Sequence, residues 1–195
     1  MFGEFSPSVH LGVTDPHEAV LVLRPATDSD VDAIRRWRNQ PANREVSVHS
    51  HEITHDEHAR WWSRARSDDS RQVLVYVHDY EPGGVVSFFD LDLFAVRPHG
   101  SWGFFLDADR LEERGQTLTA WIGVMRAATT HAFDHLGLAD LHGEVLEHNT
   151  AVRQMNRRFG FTEGPPEHRV VDGREIVAVP IVLRAEDRRT GRRPA

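Results

Sequence analysis

The chain has 195 residues, no Cys and no Lys, 39% hydrophobic and 27% charged residues, and a formal net charge of -7. This balance fits one soluble globular domain with a real core. It excludes a membrane helix, which needs roughly 20 consecutive apolar residues, and the acidic charge argues against nucleic acid as the main partner.

Residues 1–18 carry no clear period and read as an extension. They lack the basic-then-apolar pattern of a secretory signal, and together with the missing Cys this favours a cytoplasmic setting. Residues 19–24 are a compact apolar run that ends at Pro25, a first strand. Thr27 or Asp28 caps a helix with Val31, Ile34 and Trp37 on one face, ending before Pro41. Thr54 and Glu57 form a capping box for a second helix, which buries Trp61 or Trp62.

Residues 72–78 alternate as a strand. Glu81-Pro82-Gly83-Gly84 reads as a turn and residues 85–96 as the returning strand. Pro98-His99-Gly100 turns into a third strand, 101–107. Residues 117–136 form the longest helix, apolar on Leu118, Ile122, Met125 and Phe133 and stopped by Gly137. An alternating run, 141–146, follows. Asn149 then opens a short helix carrying Val152, Met155 and Phe159, which Gly160 ends before Phe161. Residues 169–171, the Asp172-Gly173 turn and residues 175–183 make a terminal hairpin. The Arg-rich segment 184–195 reads as a flexible basic tail.

The segment Asn-Thr-Ala-Val-Arg-Gln-Met-Asn-Arg-Arg-Phe-Gly-Phe (149–161), between two strands, resembles the last helical segment of the GNAT N-acetyltransferases. The order of elements over residues 19–183 is also that family's. The resemblance implies an α+β fold, a mostly antiparallel splayed sheet flanked by about four helices. It also implies acetyl-CoA, or a related short acyl-CoA, as cosubstrate and a small-molecule amine as acceptor. A homodimer through the terminal strands or the free sheet edge would be in keeping with the family.

Glu112-Glu113-Arg114-Gly115-Gln116-Thr117 is similar to the family's pyrophosphate loop, Gln/Arg-x-x-Gly-x-Gly/Ala. Gly115 matches, Glu112 replaces Gln or Arg, and Thr117 replaces the small residue. Arg114, Gly115, Gln116 and Thr117 are thus implied to hold the phosphates through N–H groups at a helix start. Pantetheine would lie along the 102–107 strand, beside Phe105, Leu106 and Asp107, with the N–H near Phe105 as oxyanion donor. Asn149 would touch the cofactor, cap the last helix, or do both.

With neither thiol nor lysyl amine, a thioacyl-enzyme and a Schiff base are excluded, leaving direct transfer in a ternary complex. Asn156 stands where the family often has a Tyr acid, a loss shared with RimJ/RimL-like members. It can donate a hydrogen bond to the sulfur but supplies no proton. Ser101 stands at the family's usual glutamate position. Glu144, with His142 on the same strand face, is the first candidate base. Asp90 and Asp92 are the second, and a reaction without a base is the third possibility.

Trp37-Arg38-Asn39, followed by a helix with His58, Trp61 and Trp62, is similar to GNAT enzymes of nucleotide-linked amino sugars. This implies Arg38, Asn39, Trp62 and Asp90 on the acceptor side, with Arg38 meeting a phosphate or carboxylate and Trp62 stacking on a ring. A peptide amine, an aminoglycoside-like metabolite and an amino acid are the alternatives. The all-Arg usage suits a GC-rich bacterial genome and a natural-product or cell-surface sugar context.

His51-Glu52-Ile53-Thr54-His55 spells His-Glu-x-x-His, with His49 and His58 nearby. The Thr54 cap leaves His51 outside the helix, whereas a zincin needs both His on one helical face, so no metal site is expected. A non-catalytic acyl-CoA-binding module is the third class of function.

Overall fold

The computed structural model describes residues 22–188. The expected extension, 1–18, and residues 189–195 of the expected tail lie outside the described residues. In chain order the elements are β1 (Val22–Pro25), α1 (Val31–Asn39), α2 (Pro41–Glu45), α3 (His55–Ala65), β2 (Gln72–His78), β3 (Glu81–Asp92) and β4 (His99–Leu106). There follow α4 (Ala108–Glu113), α5 (Thr117–Thr130), β5 (Asp140–Leu146), α6 (Thr150–Phe159), β6 (Thr162–Glu163), β7 (Glu167–Val171) and β8 (Arg174–Arg184).

The strands form one mixed, mostly antiparallel sheet of order β1-β2-β3-β4-β5-β8-β6, with β7 paired to β8. The β4–β5 pair is parallel. Helices cover both faces. Ala120, Val124 and Ala128 of α5 and Met155 of α6 pack with Tyr76, Val86, Phe88 and Trp102. On the other face Ile34 and Trp37 of α1 pack with Val73, Val75 and Val85. β2 does not alternate as its sequence suggested: Val73, Leu74, Val75 and Tyr76 are buried in succession, because helices cover both faces of the sheet there.

Three boundaries correct the sequence expectations. The β2–β3 turn is Asp79-Tyr80, both at positive φ (50° and 65°), with His78 opposite Glu81. Two residues at positive φ match the right-handed twist of a tight hairpin. Gly83 and Gly84 lie within β3, and a Cβ on Gly84 would sit 2.5 Å from the Phe105 carbonyl oxygen. That glycine serves a close approach of β4, not a turn.

The second correction concerns α5: Met125 is buried as expected, together with Ala120, Val124 and Ala128, whereas Leu118 is 61% exposed. The small side chains let the helix lie close to the sheet. After Thr130 it continues as a π-helical turn, His131–His135, and ends at Gly137 with φ +68°.

Third, β3 stops at Asp92, not at residue 96, after a register shift between Phe89 and Asp92 where Asp90 takes φ +52°. Short α2, α4 and β6 were not anticipated. The cap positions held: Thr54 with Glu57 opens α3, Asn149 accepts from the Val152 N–H, and Gly160 closes α6 at φ +99°. Beyond β8, Arg188 hydrogen-bonds Asp134 (2.6 Å) and Thr130 (2.9 Å), so the chain to residue 188 packs back on the end of α5.

Candidate active site

β4 and β5 pair only at His99–Asp140, Gly100–Leu141 and Ser101–His142. Beyond that point both strands continue without pairing, and the gap opens into a cleft of about 1140 Å³. A parallel pair that stops midway leaves backbone donors and acceptors unused. Their direction follows from the register. The Asp107 N–H donates to the Gly83 carbonyl (2.9 Å), and Val85 faces Phe105. Alternation therefore turns the N–H of Phe105 toward β3, and those of Phe104 and Leu106 toward the gap. Of the N–H groups near Phe105, those of Phe104 and Leu106 are the ones that face the gap. At Gly103 a Cβ would meet nothing within 4 Å, so the open cleft runs alongside the strand.

The start of α5 forms one end of the cleft. Gly115 takes φ +66° and its N–H donates to Glu112 O (2.9 Å), while the Gln116 N–H donates to Leu111 O (2.8 Å). With the Arg114 N–H on Arg110 O (3.2 Å), three of the four donors assigned by resemblance are spent on closing α4, and that of Thr117 is left. The first intrahelical N–H is that of Ala120, to Gln116 O. The N–H groups of Thr117, Leu118 and Thr119 are thus the helix's open donors. Arg114 is tied to Glu81 (2.8 Å) and Gln116 to Asp79 (2.5 Å), and neither side chain lines the cleft.

Asp107 also lies outside the lining and holds Gln40 (2.8 Å) and Arg110 (3.0 Å). Burial raises its pKa, but the hydrogen bonds from Gln40 and Arg110 outweigh burial and keep it below the usual carboxylate range. Trp121 of α5 also lines the cleft, as do Asn149, Val152 and Asn156. Asn156 is 2% exposed. The donors at the α5 start and the open strand edge suit a phosphate-bearing thioester cosubstrate.

The other end of the cleft lies under α1 and α3. Arg38 lines it, with its guanidinium carbon 5.3 Å from the centre of the Phe105 ring and Nη2 on the His49 carbonyl. Burial lowers the Arg38 pKa, and neighbouring Arg44 adds to the effect. Asn39 is turned away and pins Ile53 through both its amide atoms (2.8 Å each).

Trp62 donates its indole N–H to Asp28 (2.7 Å) and lies outside the cleft, while Trp61 lines it. Both Trp side chains are half-buried, and the buried residues of α3 are His58 and Ala65. Burial, reinforced by Arg35, holds the His58 pKa down to about 4. The sequence places His58 beside Trp61 and Trp62 on the second helix but assigns it no role of its own. Its spacing from Trp61 and Ala65 on one helical face was the available signal.

Glu144 and His142 both line the cleft, as does Ser101. The Glu144 carboxylate is paired with Arg169. Asp90 is exposed in the β3 bulge and does not reach the cleft. Asp92 is exposed too, and accepts from the N–H groups of Phe94 and Ala95. The loop from α2 to α3 touches the β7–β8 turn: His49 and His51 reach Asp172 at 3.1 and 3.5 Å, and Arg174 reaches Ser50. His51 precedes the α3 cap and also reaches Glu57 (3.5 Å), so it does not share a helical face with His55. Among the described residues, no group of three or more His, Cys, Asp or Glu is placed to hold a metal, and no helix is long and apolar enough to cross a membrane.

Residues 21–162 match the family model described as an acetyltransferase (GNAT) domain. No curated protein sequence matches. Among solved structures, a spermidine N-acetyltransferase from Vibrio cholerae, in complex with CoA and spermine, superposes with a TM-score of 0.70 at 15% identity, over 86% of this chain and 96% of that one. The N-acetyltransferase PseH of Campylobacter jejuni, in complex with acetyl coenzyme A, superposes with a TM-score of 0.59 at 17% identity, over 85% and 99%.

Proposed function

The chain belongs to the GNAT acetyltransferases, acyl-CoA-dependent enzymes that use acetyl-CoA to acylate a primary amine; from that premise we propose that it acetylates the amine of a small molecule, an amino sugar, directly across the β4–β5 gap. One observation carries the reading. The parallel ladder ends at Ser101–His142, and the cleft beyond it joins open helix N–H groups at α5 to an aromatic and basic chamber under α1 and α3.

In this proposal acetyl-CoA supplies the acetyl thioester, and the chain's residues position and discharge the reacting groups. The N–H groups of Thr117, Leu118 and Thr119 receive the pyrophosphate. One of the two gap-facing N–H groups, that of Phe104 or that of Leu106, which lie about 7 Å apart along the strand, receives the charge that develops on the carbonyl oxygen. As the amine nitrogen bonds to the carbonyl carbon and the carbon–sulfur bond breaks, Glu144 takes the amine proton, directly or through water. The Asn156 amide hydrogen-bonds the departing sulfur. Trp61, packed against His58 with ring centres 4.9 Å apart and planes tilted by 34°, offers a flat face for a sugar ring.

The test is release of free thiol from acetyl-CoA with amino sugars, free and nucleotide-linked, amino acids, short peptides and polyamines. Turnover of an amino sugar supports the proposal, and turnover of peptides alone removes it. Acetyl-CoA that raises Tm without turnover of any amine would favour a non-catalytic acyl-CoA-binding module.

A further inference from the structure

We infer that the acceptor carries an anionic group, a carboxylate or a phosphate, which seats on Arg38 while its amine reaches the β4–β5 gap. The inference rests on the acetyl-transfer reading above and narrows its substrate class. Arg38 lines the cleft, and its Nη1 is buried with no hydrogen-bond partner. Among the described residues it makes no ion pair, its one hydrogen bond being from Nη2 to the His49 carbonyl. The half-buried guanidinium presents a flat fork of donors to the cleft, and a fork without a carboxylate partner fits a carboxylate or phosphate oxygen. The Phe105 ring lies by one face of the group, so a partner approaches in the guanidinium plane.

A second buried polar atom in the same chamber also lacks a partner: His58 Nδ1, on a residue only 5% exposed. The remaining charges agree. Arg71 lines the cleft as well, its guanidinium over Phe89 at 5.4 Å and its Nε 3.8 Å from Asp68. The carboxylates nearby are already engaged. Glu57 accepts from the Thr54 N–H and hydroxyl (2.8 Å each) and reaches His51, and Glu144 is held by Arg169. Glu112, which also lines the cleft, belongs to its opposite end, beside α5. A polycationic amine entering the chamber therefore meets guanidinium groups and no free carboxylate.

The experiment compares amines that differ only in the anion: alanine with alaninamide, and glucosamine 6-phosphate with glucosamine, plus spermidine as the opposite charge. The wild type is expected to favour the anionic member of one pair by about tenfold or more in kcat/KM, with Arg38→Gln bringing that ratio toward one. The favoured pair identifies carboxylate or phosphate. A wild type that prefers the neutral members or spermidine, or a ratio that persists in Arg38→Gln, overturns the inference while leaving acetyl transfer intact. A parallel arm needs no turnover: calorimetry of inorganic phosphate and of acetate on protein saturated with CoA. Binding by the wild type that weakens in Arg38→Gln supports the inference, and no binding of either anion overturns it. A Tm rise with acetyl-CoA in Arg38→Gln verifies that the variant is folded.

Discussion

Trp102 and Gly143 are the first residues past the last β4–β5 pair, and the Trp102 indole nitrogen lies 3.4 Å from where a Cβ on Gly143 would sit. The indole is stacked between Phe104 (5.6 Å) and Phe161 (5.8 Å) and is 6% exposed. This aromatic stack fills the angle between the strands on the α6 side and holds them apart. Trp102→Leu is expected to cost about 3 kcal/mol of stability, the range for emptying a large aromatic site. It should also weaken acetyl-CoA binding, because the gap can narrow. Denaturant unfolding and calorimetry with CoA check the two effects separately.

Glu112 lines the cleft near the open N–H groups of α5, where the resemblance would have an Arg or Gln. A carboxylate there repels a pyrophosphate. Glu112→Gln should therefore tighten CoA severalfold at low salt, with the gain shrinking as ionic strength shortens the Debye length. Arg114→Ala should change affinity less, since Arg114 is already paired with Glu81.

The adjacent tryptophans separate site from scaffold. Trp61→Ala removes a cleft wall and should lower kcat/KM for the acceptor by at least about tenfold. Trp62→Phe loses one exposed hydrogen bond to Asp28 and should leave kinetics unchanged, at a stability cost of about 1 kcal/mol. Steady-state kinetics on the two variants checks both.

Glu144→Gln is expected to lower kcat by about 10²-fold and to flatten the limb of the pH–rate profile that reports proton acceptance. An unchanged profile would clear Glu144 of the base role. Its side chain is 42% exposed, so the Tm should hardly move.

Burial pushes both His58 and His131 down to a pKa of about 4. After burial, Arg35 contributes at His58 and His135 at His131. The unfolded chain binds these protons near pH 6.5, so their contribution is full above that pH and is lost as pH falls toward 4. At pH 5 the loss from His58 is about 2 kcal/mol. Thermal unfolding at pH 7.5 and pH 5 should show a Tm drop that narrows in His131→Gln, where the side chain bonded to Gln72 (2.8 Å) no longer titrates.

Local chemistry was legible in the sequence, and distant geometry was not. The Thr54–Glu57 box, the Asn149 cap, Gly160 and the Asp172-Gly173 turn each act within a few residues, and each stands where the pattern put it. The β2–β3 turn was misplaced because Gly83 and Gly84 are demanded by β4, far along the chain. The same holds in the site. Arg38 and Glu144 were legible as cleft residues, whereas Trp62, Asn39 and Asp90 were separated from it by contacts to Asp28, Ile53 and a strand bulge. Which of the N–H groups near Phe105 face the gap depends on strand register, which composition does not encode.

The measurement closest to the central claim is an amide chemical-shift map during titration of the isotope-labelled protein with acetyl-CoA. The largest perturbations are expected at the N–H groups of Phe104 and Leu106 and of Thr117, Leu118 and Thr119, with little at Phe105. Saturation of the protein with those five amides unmoved would contradict the account.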